Sequence, residues 1–394
     1  MSRSGVFVKQ ASGYRAFHPA PLPPNPPVQM AGEMLKWLSK ADRALGRLDG
    51  VTSTLPNPDL FVGMYVRQEA VLSSQIEGTQ STLEDVLSFE MHVRENERPS
   101  DVREVVNYVA AMRYGLEQVT GDGLPLSLRL LKDIHARLLT GTRGSTKQPG
   151  DFRTSQNWIG PEGSTLRTAT FVPPPVPVMH DALSNLERFL YDRSLPDLVV
   201  AGLAHAQFET IHPFLDGNGR VGRLLITFLL CEREILAQPL LYLSIYFKRH
   251  RTEYYDRLTA IREHGDWEGW LAFFLRGVFE ASQEATQTAR SILALREDHR
   301  AHAAAFSGKD NAAFLDVLFQ SPYLTISWTA ERLGVTKVTA GRLMERFEAA
   351  GWLEEITRFR RNRVYRYAPY LALFDTDAHT GNDGPDEHTQ ADEL

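Results

Sequence analysis

Residues 212–223 read His-Pro-Phe-Leu-Asp-Gly-Asn-Gly-Arg-Val-Gly-Arg, and the apolar run LLITFLL follows them. Asp216-Gly217 and Asn218-Gly219 are turn dipeptides, and a turn ahead of a helix is enough to account for them in most proteins. Their neighbours suit phosphate chemistry as well. Gly217 and Gly219 permit positive φ and a close backbone approach to a ligand. They stand at a predicted helix start, where free N–H groups and the helix dipole favour an anion. Arg220 and Arg223 are three apart and project from one side of the first turn. Two guanidinium forks there match a polyphosphate better than a single carboxylate. Asp216 can hold Mg2+, which binds through one or two carboxylates and completes its shell from phosphate oxygens. His212, one turn upstream, can act as a general base.

A second set lies far upstream. In SSQIEG (73–78), Ser73 and Glu77 are four apart and share one helix face, as a solvent-facing pair at a helix end would. His205, Glu209 and His212 also share a helical face, but their spacing is not that of a known zinc site. His135 reads as structural.

The stretch HPFLDGNGRVGR resembles the signature of the Fic family, His-x-Phe-x-Asp/Glu-Gly-Asn-Gly-Arg-x-x-Arg. It matches each fixed position, at His212, Phe214, Asp216, Gly217, Asn218, Gly219, Arg220 and Arg223. The resemblance implies transfer of AMP from ATP to a Tyr, Ser or Thr hydroxyl of a protein target, or of the protein itself. In that reading His212 takes the hydroxyl proton and Asp216 holds Mg2+ between the α- and β-phosphates. The Gly217–Gly219 backbone, Asn218 and Arg220 bind the departing pyrophosphate, Arg223 reaches the γ-phosphate, and Phe214 anchors the loop in the core. Ser73, Glu77 and Gly78 match the family's inhibitory-helix pattern, Ser/Thr-x-x-x-Glu-Gly/Asn. That match implies a brake in which Glu77 pairs with Arg223 and fills charge space meant for the γ-phosphate. In some relatives the same glutamate positions a water for AMP removal, so de-AMPylation is the enzymatic alternative. LYLSIYFKRHRTEYY (241–255) resembles the segment that closes on adenine, with Tyr246, Arg249 and Tyr254 as its candidates. Self-association, common among relatives, implies a homodimer.

These residues need elements to position them. A chain of 394 residues has room for two or three domains with real cores. A net charge of −6 argues against a protein that coats nucleic acid or hugs membranes. Cys231 is the single cysteine, which rules out an intramolecular disulfide and fits a reducing cytosol. The N-terminus carries no apolar signal core, and LLITFLLC stops at Glu232, far too short to span a bilayer. A cytoplasmic protein without membrane contact is expected.

Periodicity and capping signals predict helices over 34–48, 59–77 (ended by Gly78), 101–119, 127–139, 179–192, 197–211, 219–234, 253–263 and 266–296. Ser81-Thr-Leu-Glu84 has the form of a capping box before LEDVLSF. The proline-rich stretch 18–27 reads as an extended arm. β-formers on both sides of PEGS predict a short hairpin within 150–178, which resembles the family's flap for pairing with a target strand. Helices at 311–319, 325–333 and 336–350, followed by a ribbon, suggest a winged helix with Thr336–Phe347 as recognition helix. Lys337, Arg342, Arg358, Arg360, Arg361, Arg363 and Arg366 would contact DNA, whereas Glu345, Glu348, Glu354 and Glu355 dilute that basic surface and suit protein docking.

The expected fold is mainly α: a Fic-type helical core with a short β-hairpin flap, plus a C-terminal winged helix. The expected division is an arm (1–29), a helical region with the inhibitory helix (30–120), the Fic catalytic core (121–300), a winged helix (308–374) and a disordered acidic tail (375–394). The rival from another class is a DNA-binding regulator whose Fic core only senses nucleotide.

Overall fold

The computed structural model describes residues 2–90, 99–121, 123–357 and 363–374. The chain forms two compact units, Met1–Ala289 and Arg290–Leu394. The first begins with an antiparallel pair, β1 (Gly5–Lys9) and β2 (Arg15–Pro19). Helices follow: α1 (Gly32–Thr52), α2 (Pro58–Ile76), α3 (Leu83–Glu90), α4 (Pro99–Thr120), α5 (Leu128–Leu138), α6 (Val176–Phe189), α7 (Asp197–Ile211), α8 (Asn218–Glu232), α9 (Ser244–Arg249), α10 (Arg251–His264) and α11 (Trp267–Ala304), whose residues after Ala289 belong to the second unit.

Helices α7 and α8 form the centre of this unit. Every residue of α7 from Leu198 to Ile211 is buried, and so is nearly all of α8. A helix apolar on all sides has to be wrapped by others, and α2, α4, α5, α6 and α10 pack around this pair. Helix α4 crosses α8 at Gly115, where a Cβ would overlap the Phe228 ring.

Helix α2 starts at Pro58 under the Asn57 side chain, which accepts from Leu60 N–H at 3.0 Å. It stops at Gly78, whose φ of +97° closes the last turn, while Thr79 N–H returns to the Ser74 carbonyl at 3.2 Å. The start of α3 differs from the sequence expectation by one residue. Thr82 and Asp85 form the reciprocal box, with Thr82 N–H to Asp85 Oδ2 at 2.9 Å and Asp85 N–H to Thr82 Oγ1 at 3.1 Å. Ser81 is instead buried, and its carbonyl is held by Gln75.

Two β expectations need correction. The segment within 150–178 is not a ladder but one bridged pair, Ile159 and Phe171, joined by N–H···O bonds of 2.8 and 3.0 Å. Pro173, Pro174 and Pro175 have no N–H to donate, so pairing stops there. Conversely, the N-terminal arm contains the β1–β2 pair, seated by buried Ala16 and Phe17, with Phe7 edge-on to Phe17 at 5.0 Å. Phe17 N–H donates to the Val172 carbonyl at 2.9 Å, which ties this pair to the 159–171 loop.

The second unit contains α12 (Asn311–Leu318), β3 (Tyr323–Thr325), α13 (Ile326–Leu333), α14 (Lys337–Ala349), β4 (Leu353–Glu355), β5 (Val364–Tyr367) and α15 (Ala368–Ala372). Its sheet is antiparallel in the order β3-β5-β4, so the expected ribbon gains a third strand. Lys337 and Arg342 are exposed on α14. Arg363 pairs with Glu355 at 3.6 Å and Arg366 with Glu354 at 2.8 Å. Arg358, Arg360, Arg361 and the 375–394 tail lie outside the described residues. Among the described residues no helix is long and apolar enough to cross a membrane.

The Gly115 contact yields a prediction. Gly115→Ala should destabilise the first unit by about 1–3 kcal/mol, because the added methyl displaces a core ring. Chemical denaturation would measure this, and an unchanged or raised stability would contradict the close crossing of α4 and α8.

Candidate active site

Residues 212–217 connect α7 to α8 and reverse the chain with two left-handed residues, His212 (φ 48°, ψ 61°) and Gly217 (φ 76°). Glycine adopts this conformation freely. For histidine it costs of order 1 kcal/mol and persists only where neighbours enforce it. The enforcing groups are identifiable. The buried Arg153 donates from Nε to the His212 carbonyl at 3.0 Å and from Nη2 to Pro174 at 2.6 Å. Asn157 Nδ2 reaches the His212 and Phe214 carbonyls at 3.2 and 2.9 Å. Asn218 binds both sides of one residue, accepting from Phe214 N–H at 2.8 Å and donating to Phe214 C=O at 2.9 Å.

His135 supports the loop from α5. Gly150 N–H donates to its Nδ1 at 2.9 Å, so the proton sits on Nε2, which donates to the Asp216 carbonyl at 3.0 Å. Its ring stacks on Phe214 at 3.7 Å. Burial lowers its pKa to about 4, which keeps this neutral tautomer. His205 is fixed in the same way. Its Nδ1 donates to Gly222 C=O at 2.8 Å, and its Nε2 therefore accepts from Tyr254 Oη at 2.9 Å.

The two arginines at the start of α8 are almost fully buried. Arg223 is met by the end of α2: its Nε donates to Ser73 Oγ at 2.7 Å, and its Nη2 to Ser73 C=O at 3.0 Å and Glu77 Oε1 at 2.8 Å. Ser73 and Glu77, four apart on α2, thus close on one guanidinium. Gly219 makes room for this, since a Cβ there would collide with the Glu77 carboxylate. Arg220 is met by α4 instead: its Nη1 lies 2.9 Å from Glu104 Oε2, and its Nη2 3.5 Å from Asp216 Oδ1. Asp216 Oδ1 also accepts from Gly217 N–H at 2.6 Å.

The electrostatics follow from this burial. His212 is lowered to about 3, first by burial and then by the nearby charges of Arg262 and Arg153, so its imidazole is neutral at pH 7. Burial opposes ionisation of Glu77, but the charge and hydrogen bond of Arg223, helped by Arg220 and His212, hold its carboxyl below the usual value. Two other carboxyls behave differently. Burial raises Glu69 to about 7, against hydrogen bonds from Ser244 and Tyr108, and raises Glu209 to about 7 as well.

Several expectations change at this point. Tyr246 and Tyr254 are 2% and 1% exposed and belong to an aromatic core with Phe247, Trp270 and Phe273. Arg249 pairs with Glu284. The two tyrosines do not form an open wall for a base, because aromatic residues at helical spacing pack inward, whereas Arg249 is exposed. The Asn218 side chain is consumed by Phe214, which leaves its backbone N–H, not its amide, for a ligand. Sequence reasoning missed Arg153, Asn157 and Glu104, since each lies far from the motif in the chain and carries no local pattern. Among the described residues, no group of three His, Cys, Asp or Glu could hold a metal on its own.

Comparisons with known proteins bear on the family and the fold. Residues 35–117 match the family model described as "Fic/DOC family N-terminal", and residues 125–230 match "Fic/DOC family". A protein adenylyltransferase Fic of Aedes aegypti is 29% identical over 173 residues, 43% of this chain and 31% of the relative. A probable protein adenylyltransferase of Aquifex aeolicus is 36% identical over 96 residues, 24% of this chain and 27% of the relative. The aligned stretches thus span under a third of each of these two relatives. The crystal structure of a Fic family protein from Desulfovibrio desulfuricans matches with a TM-score of 0.59 at 21% identity, over 86% of this chain and 97% of that one, a likeness of fold.

Two measurements test the site. Asn218→Ala removes the acceptor of the buried Phe214 N–H and should cost about 1–3 kcal/mol in urea denaturation; a neutral substitution would show that the loop is held otherwise. In histidine-labelled protein, NMR should find the His212 ring uncharged at pH 5.5, because a lowered pKa delays protonation to more acid pH. A titration midpoint near 6.5 would contradict the burial argument.

Proposed function

From a chain whose residues 35–117 and 125–230 are the N-terminal and core domains of the Fic/DOC family, we propose a protein adenylyltransferase that moves AMP from ATP to a Tyr, Ser or Thr hydroxyl of a protein, itself included, and that Glu77 restrains. The observation that carries this reading is the Glu77–Arg223 pair at 2.8 Å beside the motif loop. It puts a carboxylate on a cation that, in an α8 N-terminus read as a phosphate site, would otherwise meet the γ-phosphate.

In this mechanism His212 accepts the proton from the target hydroxyl. Its neutral ring supports that role, since a protonated imidazole could not act as base. The hydroxyl oxygen bonds to the α-phosphorus as the bond to pyrophosphate breaks. The N–H groups of Asn218 and Gly219 and the Arg220 and Arg223 forks would stabilise the leaving phosphates, the Gly217 N–H being held by Asp216 Oδ1. Asp216 fits Mg2+: its side chain is 34% exposed, and one carboxylate with phosphate oxygens completes such a shell. When bound, the ion neutralises phosphate charge. While Glu77 remains on Arg223, ATP would bind in a pose poor for in-line attack.

A second reading concerns residues 311–374. Three helices and the β3-β5-β4 sheet support a winged helix. The pairing of Arg363 and Arg366 with glutamates favours protein docking over DNA.

The proposal is tested with wild type, Glu77→Gly and Glu77→Gly/His212→Ala, each given α-labelled ATP and Mg2+. Label on the protein should be weak for wild type, about tenfold or more stronger for Glu77→Gly, and absent from the double variant. Glu77→Gly that binds ATP yet labels neither itself nor proteins of a cell extract would overturn the transfer reading.

A further inference from the structure

Glu104, on α4, is a carboxylate used neither by the proton transfer nor by the brake. It is 1% exposed. One oxygen accepts from Arg220 Nη1 at 2.9 Å, and the other lies 3.0 Å from Arg143 Nε. Arg220 is equally buried, and its other terminal nitrogen is only 3.5 Å from Asp216. The shorter of its two ion pairs, and therefore the stronger constraint on its orientation, is the one to Glu104. Arg143 belongs to the short turn Arg143–Thr146 and is 55% exposed. It also donates to the Glu77 carbonyl at 3.4 Å, so it sits beside both the first motif arginine's partner and the end of α2. The same turn brings Gly144 against Asp216, where a Cβ would lie 2.9 Å from Oδ2. Burial disfavours the Glu104 charge and leaves its carboxyl above the usual value, while Arg220 and then Arg143 pull the other way.

We infer that Glu104 is a positioning residue for the phosphate site: it aims the Arg220 fork beside Asp216, and Arg143 clamps the opposite oxygen of the same carboxylate. The inference rests on the phosphate-site reading above. Each terminal nitrogen of Arg220 carries a second N–H beyond the one directed at a carboxylate. In the phosphate-site reading those hydrogens would meet the β- and γ-phosphates of a nucleoside triphosphate. AMP has neither group, so the effect of Glu104 should depend on the length of the phosphate chain.

The test measures ATP and AMP affinity by titration calorimetry in the full-length Glu77→Gly protein, with Glu104→Gln, Glu104→Asp or Arg143→Ala added. Glu104→Gln keeps the volume and loses the charge. It should weaken ATP about tenfold while AMP stays within about twofold. Glu104→Asp should recover part of that loss. Arg143→Ala, on an exposed side chain, should weaken ATP about threefold and leave AMP alone. Equal weakening of ATP and AMP would mean a merely structural role and overturn the inference, as would unchanged ATP affinity in Glu104→Gln. If Glu104→Gln does not fold, the ATP-to-AMP comparison in Arg143→Ala decides on the same terms. Glu77→Gly that binds no ATP overturns both this inference and the transfer reading. Glu77→Gly that binds ATP without transferring label overturns the transfer reading alone and leaves the affinity comparison intact.

Discussion

The buried guanidinium of Arg223 has to be matched. A cation 3% exposed at the start of a helix, where the dipole adds positive potential, is costly without acceptors around it. Ser73 supplies a hydroxyl and a carbonyl, and Glu77 a carboxylate. All three come from the last turns of α2, so the position of that helix is dictated by the need to satisfy one side chain of α8. In the proposed mechanism polyphosphate would meet the same need, and the one pair would then join stability to control. Arg223 is correspondingly held in its charged form, with its pKa raised by Glu77 against the pull of burial.

The loop between α7 and α8 obeys a related constraint. A chain reversal in the middle of a core leaves peptide groups that water cannot reach, and each has to find a partner. Arg153, Asn157, His135 and Asn218 supply those partners from four places in the sequence. Their combined grip keeps His212 in a left-handed conformation that a histidine would otherwise leave. The free N–H groups at the start of α8 are thereby presented at a fixed place, and in the proposed mechanism that fixity is what a departing pyrophosphate would use.

Legibility in the sequence followed the range of the interactions. The 197–211 helix was readable because its apolar residues and its end are local features, and the pairing of Glu77 with Arg223 was readable because the resemblance supplied a partner 146 residues away. The box at Thr82 was missed by one residue because Ser, Thr, Asp and Glu crowd the same short stretch, and only packing decides which hydroxyl faces the helix. The hairpin expected within 150–178 shrank to one pair because consecutive prolines remove the donors a ladder needs. The β1–β2 pair was hidden by the proline run beside it. Tyr246 and Tyr254 resembled a ligand wall only until the core claimed them.

The twelve residues 212–223 by themselves determined that this chain has a glycine-bounded helix start with a histidine, an acid and two arginines at set spacing, because those properties are written into adjacent residues. Tertiary structure alone decided what each group faces. Glu104 against Arg220, Arg153 against His212 and Asn218 turned back upon Phe214 all depend on helices brought together by burial of their apolar faces. That force is non-directional, and no local pattern announces which distant polar group it will place within hydrogen-bonding reach.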